Sequence, residues 1–159
     1  MDSHFSLEFV SKVFLALSPQ TINAATVGGS GIGTDIRGFN GDICGAVLLG
    51  AMPASTDLDI IFQDAPLDAD GSVPESGDFA ALLDTADVAV RIDALVTGQA
   101  NTVVPFRINR ELVRPFFRVI GTNNAATAAI AGVVIYKTLP AYGSLSDSKV
   151  TPSTFVHFK

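Results

Sequence analysis

The sequence predicts an all-β protein, an antiparallel sandwich or barrel, and three observations predict it. Apolar and polar residues alternate with period two in one run after another, the spacing that sends successive side chains to opposite faces of a strand. Clusters of turn-forming residues stand between those runs at 24–35, 53–55, 68–77, 98–101, 122–126 and 139–146. No helical period is sustained between them, and short strands parted by turn signals read as a sandwich or barrel.

The elements follow in order. Residues 5–17 fit helical spacing (Phe5, Phe9, Val13, Leu17) and strand alternation (Phe5, Leu7, Phe9) equally, so this run is either a first strand or an arm reaching a neighbour. Residues 43–49 (ICGAVLL) and 128–135 (AAIAGVVI) are apolar on both faces. An antiparallel strand in a lone sandwich keeps one face wet, so a second apolar face needs cover from another segment or subunit. Ala129, Ala131, Val133 and Ile135 are the residues expected at such a subunit interface. In TDLDIIFQD, Leu58, Ile60 and Phe62 point one way and Asp57, Asp59 and Gln63 the other. One short helical turn fits residues 78–84. In DVAVRIDAL, Val88, Val90, Ile92 and Ala94 alternate with Asp87, Arg91 and Asp93. Val104, Phe106 and Ile108 form a further face, as do Val113, Phe117 and Val119, with Arg114 and Arg118 opposite.

Composition bounds the class. The 159 residues suit one domain, and 48% hydrophobic with 16% charged residues excludes intrinsic disorder. Mean hydropathy is high at +0.40, yet the longest apolar stretch, 125–136, contains Thr127 and Gly132 and falls short of the ~18 residues of a spanning helix. The opening MDSHFSLEF has no basic region, so no secretory leader is expected. The single Cys44 makes no internal disulfide and sits in an apolar strand as a small hydrophobe.

The chemistry is bounded as well. His4 and His157 lie near the two ends, poor places for an imidazole that must be held to hydrogen-bond accuracy, and no enzyme is expected. Trp is absent, and Tyr136 and Tyr142 are the only tyrosines, so stacking platforms for sugars or single-stranded nucleic acid would have to be Phe. Between residues 57 and 93 ten acids face one arginine, whereas 105–118 holds Arg107, Arg110, Arg114 and Arg118 against Glu111. With a pI near 4.6, those arginines do not make a nucleic-acid surface.

Three motifs fall short. The glycine-rich stretch 28–34 has the P-loop spacing in Gly28 and Gly33, but Thr34 stands where the lysine belongs and Asp35 adds an anion. It also lacks the third glycine of a dinucleotide fingerprint, and no helical pattern follows it. The acidic stretch 64–71 puts Pro66 where a calcium loop needs its first ligand. A looser site from Asp64, Asp68, Asp70 and Asp78 is the alternative to a plain Asp-Gly turn. Paired carboxylates for glycoside cleavage have no positive support. The reading is no metal and no cofactor.

Residues 112–140, LVRPFFRVIGTNNAATAAIAGVVIYKTLP, carry a family likeness. They resemble the C-terminal part of small tailed-bacteriophage virion proteins, in which an arginine-aromatic strand leads through a Gly/Thr turn to an Ala-rich final strand. IRGFNGDICGAVLLGAM, LDIIFQDA, an Asp/Gly loop and DFAALLDTADV precede it in the same order, so the likeness covers most of the chain. The resemblance implies an antiparallel β-sandwich of jelly-roll type and a capsid decoration (cement) protein, often a homotrimer, on the outer face of a head. Its implied partners are the major capsid protein and copies of itself, with no nucleic acid and no membrane. Its place is the virion surface after synthesis in the host cytoplasm. A tail or baseplate component and a carbohydrate-binding sandwich stay open beside it. Residues 1–19 are then the arm or first strand, 20–142 the sandwich and 143–159 a tail. Phe5, Phe9, Val13, Arg110 and Arg114 are the expected capsid contacts, since arginine pairs bidentately with carboxylates.

Overall fold

A computed structural model of the chain describes residues 10–23, 33–39, 41–138 and 156–158. Its strands are β1 (Val10–Ile22), β2 (Thr34–Asp35), β3 (Ile43–Leu49), β4 (Leu58–Ala65), β5 (Ala80–Ala81), β6 (Arg91–Leu95), β7 (Val103–Ile108), β8 (Phe116–Asn123), β9 (Ala129–Thr138) and β10 (Val156–Phe158). Short 3-10 turns occur at Ser76–Asp78, Thr97–Gln99 and Arg110–Leu112, and no α-helix is present among the described residues. One sheet has the order β1-β9-β3-β7-β10; the other runs β2-β8-β4-β5, with β6 also on β4. All pairings are antiparallel except β10 on β7. The chain is an all-β sandwich.

The alternation read from the sequence sets the core. Leu58, Ile60 and Phe62 of β4 are buried, and cross-strand register places them beside Asn123, Gly121 and Val119 of β8. Phe106 of β7 meets them from the other sheet: its ring lies 4.8 Å from that of Phe62, which in turn stacks on Phe117 at 5.8 Å. Each such buried aromatic contributes about 1.5–3 kcal/mol over an exposed one. Gly45, opposite Phe106, gives the ring its room; a β-carbon there would overlap the ring and the Val134 carbonyl.

Strand, not helix, is the state of the described part of the N-terminal run. β1 pairs along β9 as an edge strand, with Leu17 and Ile22 inward and Val13 and Leu15 outward. Register shifts at Val10/Lys12, Leu15/Leu17 and Leu17/Gln20 are bulges that blur its period, which is why helix spacing fitted as well. The boundary expected at residue 19 falls inside β1. Phe5 and Phe9 lie outside the described residues, as does most of the expected C-terminal tail, of which Val156–Phe158 joins the first sheet.

Three expectations need correction. Ala129, Ala131, Val133 and Ile135 have no exposed surface in this single chain, because their register with Leu49, Val47 and Gly45 turns them into the sandwich interior. They belong to its own core and present no side chain to a neighbouring subunit. Residues 78–84 do not form a helical turn: a 3-10 turn ends at Asp78, and Ala80–Ala81 pairs with Gln63 and Asp64 as strand. Ala94 leaves the alternation of its strand at φ 53°, an extra residue opposite Asp59 that lets Leu95 turn inward instead.

Candidate functional site

The arginines gather at one end of the sandwich, where β3, β7, β8 and β2 begin or end close together. Arg114 precedes β8, and Asp64, near the end of β4, faces it. The Arg114 Nε and Nη2 donate to Asp64 Oδ1 at 2.9 and 2.6 Å, Nη2 also donates to the Asp64 carbonyl at 2.8 Å, and the Arg114 backbone N–H donates to Oδ2 at 2.8 Å. Asp64 is buried, so this pair joins two neighbouring strand ends, and the guanidinium fork expected to reach a capsid is already occupied.

Arg110 lies in the turn before it. Its Nη1 donates to the Val113 carbonyl at 2.5 Å and its Nη2 to the Ile36 carbonyl at 3.5 Å, tying the 109–115 loop to the segment after β2. Its Nε is buried and meets no acceptor. Nearby, Arg37 forks onto Asp35 with Nε to Oδ1 at 3.0 Å and Nη2 to Oδ2 at 2.7 Å, and it lies 5.6 Å over the ring of Phe116. The hydrogen bond from Arg37 holds the Asp35 carboxyl below its ordinary range, and the pairing raises Arg37 in return. Arg107 pairs with Asp42. Of the basic spot read from the sequence, Arg107 and Arg114 are thus ion-paired, while Arg110 donates to backbone carbonyls.

Arg118 shows why a buried arginine sits on β8. Its Nε and Nη2 donate to Gln63 Oε1 at 2.9 and 2.7 Å, its Nη1 donates to the Ser76 carbonyl at 3.1 Å, and its guanidinium lies 4.2 Å over the Phe79 ring. It fastens the 66–79 loop to the outer face of the second sheet, and desolvation lowers its pKa. The four acids of the looser calcium site are not gathered. Asp64 turns to Arg114, Asp68 and Asp70 accept from Ser72, and Asp78 accepts the Glu75 N–H. Among the described residues no group of three or more His, Cys, Asp or Glu side chains could hold a metal ion. Of the glycine-rich stretch only Gly33 and Thr34 are described; Gly33 takes φ 73° and leads into strand β2.

The outer faces of the two sheets differ. On the second, Asp59, Gln63, Arg91, Asp93 and Arg118 stand in the outward phase. On the first, the outward phase carries Val13, Leu15, Val103 and Ile130, which are 41–60% exposed, with Leu48 and Val134 half-buried among them. Val13 is thus the one expected contact residue whose described side chain is an exposed hydrophobe, and Leu15, Val103 and Ile130 join it. Sequence reasoning missed those three because apolar residues in both phases of a strand conceal which phase faces out. Cys44 lies on this face as well, half-buried, and desolvation raises its thiol pKa. Comparison of the chain with protein-family models, curated proteins and solved structures found no match.

Proposed function

We propose that this chain is a jelly-roll virion structural protein that decorates an assembled phage head and stabilises it by bridging capsid subunits. The observation that carries the proposal is the strand order. From β1 to β4 and from β6 to β9, strands that follow one another in the chain alternate between the β1-β9-β3-β7-β10 sheet and the β2-β8-β4-β5 sheet, on whose β4 strand β6 also pairs, and such interleaving supports the jelly-roll reading of the sandwich. The virion likeness of residues 112–140 falls on β8 and β9, which belong to opposite sheets of that arrangement. The end of the sandwich at which Arg107 and Arg114 are held in ion pairs suits a protein whose work is binding.

Self-association, most simply a homotrimer, and attachment to the major capsid protein follow from this reading. Val13 and Leu15 on the exposed flank of β1 are the apolar groups such contacts would use, with neither nucleic acid nor membrane as partner. The test is localisation in virions made by a culture that encodes the chain. Gold-labelled antibody to the chain should mark the heads, and mass spectrometry of purified virions should find it in many copies. Labelling of tails instead makes it a tail or baseplate component; absence from virions ends the proposal.

A further inference from the structure

A hairpin stands out from the edge of the second sheet. β5 and β6 both lie along one edge of β4, Ala81 beside Gln63 and Arg91 beside Ile61. The chain leaves that edge at Leu82, whose N–H donates to the Phe62 carbonyl at 2.9 Å. It rejoins the edge at Val90, whose carbonyl accepts the Phe62 N–H at 3.3 Å. The Val90 N–H also donates to the Leu82 carbonyl at 2.8 Å, so residues 83–89 are extruded between them as a finger. Leu82 and Val90 at its root are buried, whereas Leu83 and Val88 are 44% and 59% exposed.

The finger is held in shape by its own bonds. Leu83 bridges Ala89, and the Asp84 N–H donates to the Val88 carbonyl at 2.9 Å. Asp84 Oδ1 accepts the N–H groups of Ala86 and Val88 at 2.8 and 3.0 Å. Asp87 closes the turn at φ 59°, in the left-handed region. Apolar side chains on an element already fixed in one shape lose little entropy on binding, which suits the finger to a contact with another molecule.

Charge selects the surface that it fits. Residues 79–90 carry Asp84 and Asp87 and no cation. The first sheet is the opposite case: β1, β3, β7 and β9 hold Lys12, Arg107 and Lys137 and no carboxylate. Arg107 is paired with Asp42, but Lys12 stands opposite Lys137 in the register, next to Val13 and Tyr136. Like charges placed side by side favour an incoming anion. Val13 and Leu15 beside them are exposed. One chain thus carries an apolar finger edged by acids and an apolar flank edged by bases. The two lie at opposite edges of the sandwich: Leu17 and Ile22 of β1 rest against Gly121 of β8, whereas the finger hangs from the side of β4 away from β8. They meet only between copies.

We propose that the finger of one copy docks on the Val13–Leu15 flank of a second copy. The proposal rests on the self-association in the function proposed above and supplies the other half of that contact. Finger and flank are different surfaces, so the contact runs head to tail, and such contacts close into rings where the rotation permits.

Light scattering over a dilution series of the full chain tests this, with circular dichroism to check folding. The parent should exceed the 16.6 kDa of one chain. The double variant Leu83→Asp, Val88→Asp and the double variant Val13→Asp, Leu15→Asp should each weaken association at least about tenfold. Mixed, they should recover a species of two chains, because the intact flank of the first meets the intact finger of the second. A parent that stays a monomer, a finger variant that associates like the parent, or a mixture that stays monomeric each overturns the proposal. Should a double variant not fold, Asp87→Lys and Lys12→Asp decide: each alone should weaken association and their mixture restore it, and undiminished association of Asp87→Lys overturns the proposal. Head binding separates this contact from the function it rests on. A monomer that still decorates heads removes the contact alone, whereas an associating chain absent from virions removes the function alone.

Discussion

Replacing Arg114 with alanine is the sharpest test of what holds the arginine end together. The substitution removes the Nε and Nη2 bonds to Asp64 Oδ1, at 2.9 and 2.6 Å, and the Nη2 bond to the Asp64 carbonyl. Asp64 keeps the backbone N–H of residue 114 but stays a buried carboxylate with its cation gone. Charge-assisted hydrogen bonds are worth about 1.5–3 kcal/mol each when fully enclosed. The Arg114 side chain is 42% exposed, so solvent screening reduces that figure, and breaking the pair costs about 2–3 kcal/mol in all. Urea unfolding should show that loss as a lower midpoint with an unchanged slope, and heating should show it as about 5–10 °C in Tm. Arg114→Lys keeps the charge but not the fork and should lose about half as much. A double-mutant cycle with Asp64→Ala should return a coupling of at least about 1 kcal/mol. If Arg114→Ala falls within about 0.5 kcal/mol of the parent, the pair is an ornament of the surface and the argument fails.

Other predictions address separate features. Gly45→Ala forces a methyl group into the Phe106 ring and the Val134 carbonyl and should destabilise by about 1–3 kcal/mol, seen in the same urea titration. Arg118→Ala unfastens Ser76 and Phe79 from the second sheet, so hydrogen exchange should speed up in residues 70–79 and leave β3 and β7 unchanged. Asp35 has its folded pKa depressed by Arg37, so its contribution is present above the ordinary carboxylate pKa and is lost as pH falls through the lower folded value. NMR titration should find the Asp35 carboxyl below the ordinary range, and Arg37→Ala should return it there. Leu15→Asp changes an exposed side chain on the flank of β1, so it should leave the fold intact and lower any concentration-dependent mass seen by light scattering.

Much of the core was legible because burial and period coincide. Leu58, Ile60 and Phe62 alternate with polar residues, and that alternation alone gives strand, phase and interior. The same logic failed where both phases are apolar. In β9 the phase is chosen by register with β3, so Ala129, Ala131, Val133 and Ile135 could be read as facing out when they face in. β1 was ambiguous because its bulges break the period, and β10, with three residues, is too short to have one. The Arg114–Asp64 pair spans 50 positions and so escaped a reading based on neighbours. It did leave one trace in the sequence: Asp64 continues the buried phase of Leu58, Ile60 and Phe62, and an acid in that phase calls for a cation.

The central claim, that this sandwich decorates a phage head, is tested most directly by adding the purified chain to heads stripped of it and sedimenting the mixture. The account predicts saturable binding at a fixed number of copies per capsid, together with heads that rupture at higher temperature than undecorated ones. Heads that sediment without the chain across the whole titration, at concentrations where the chain is folded, would contradict it.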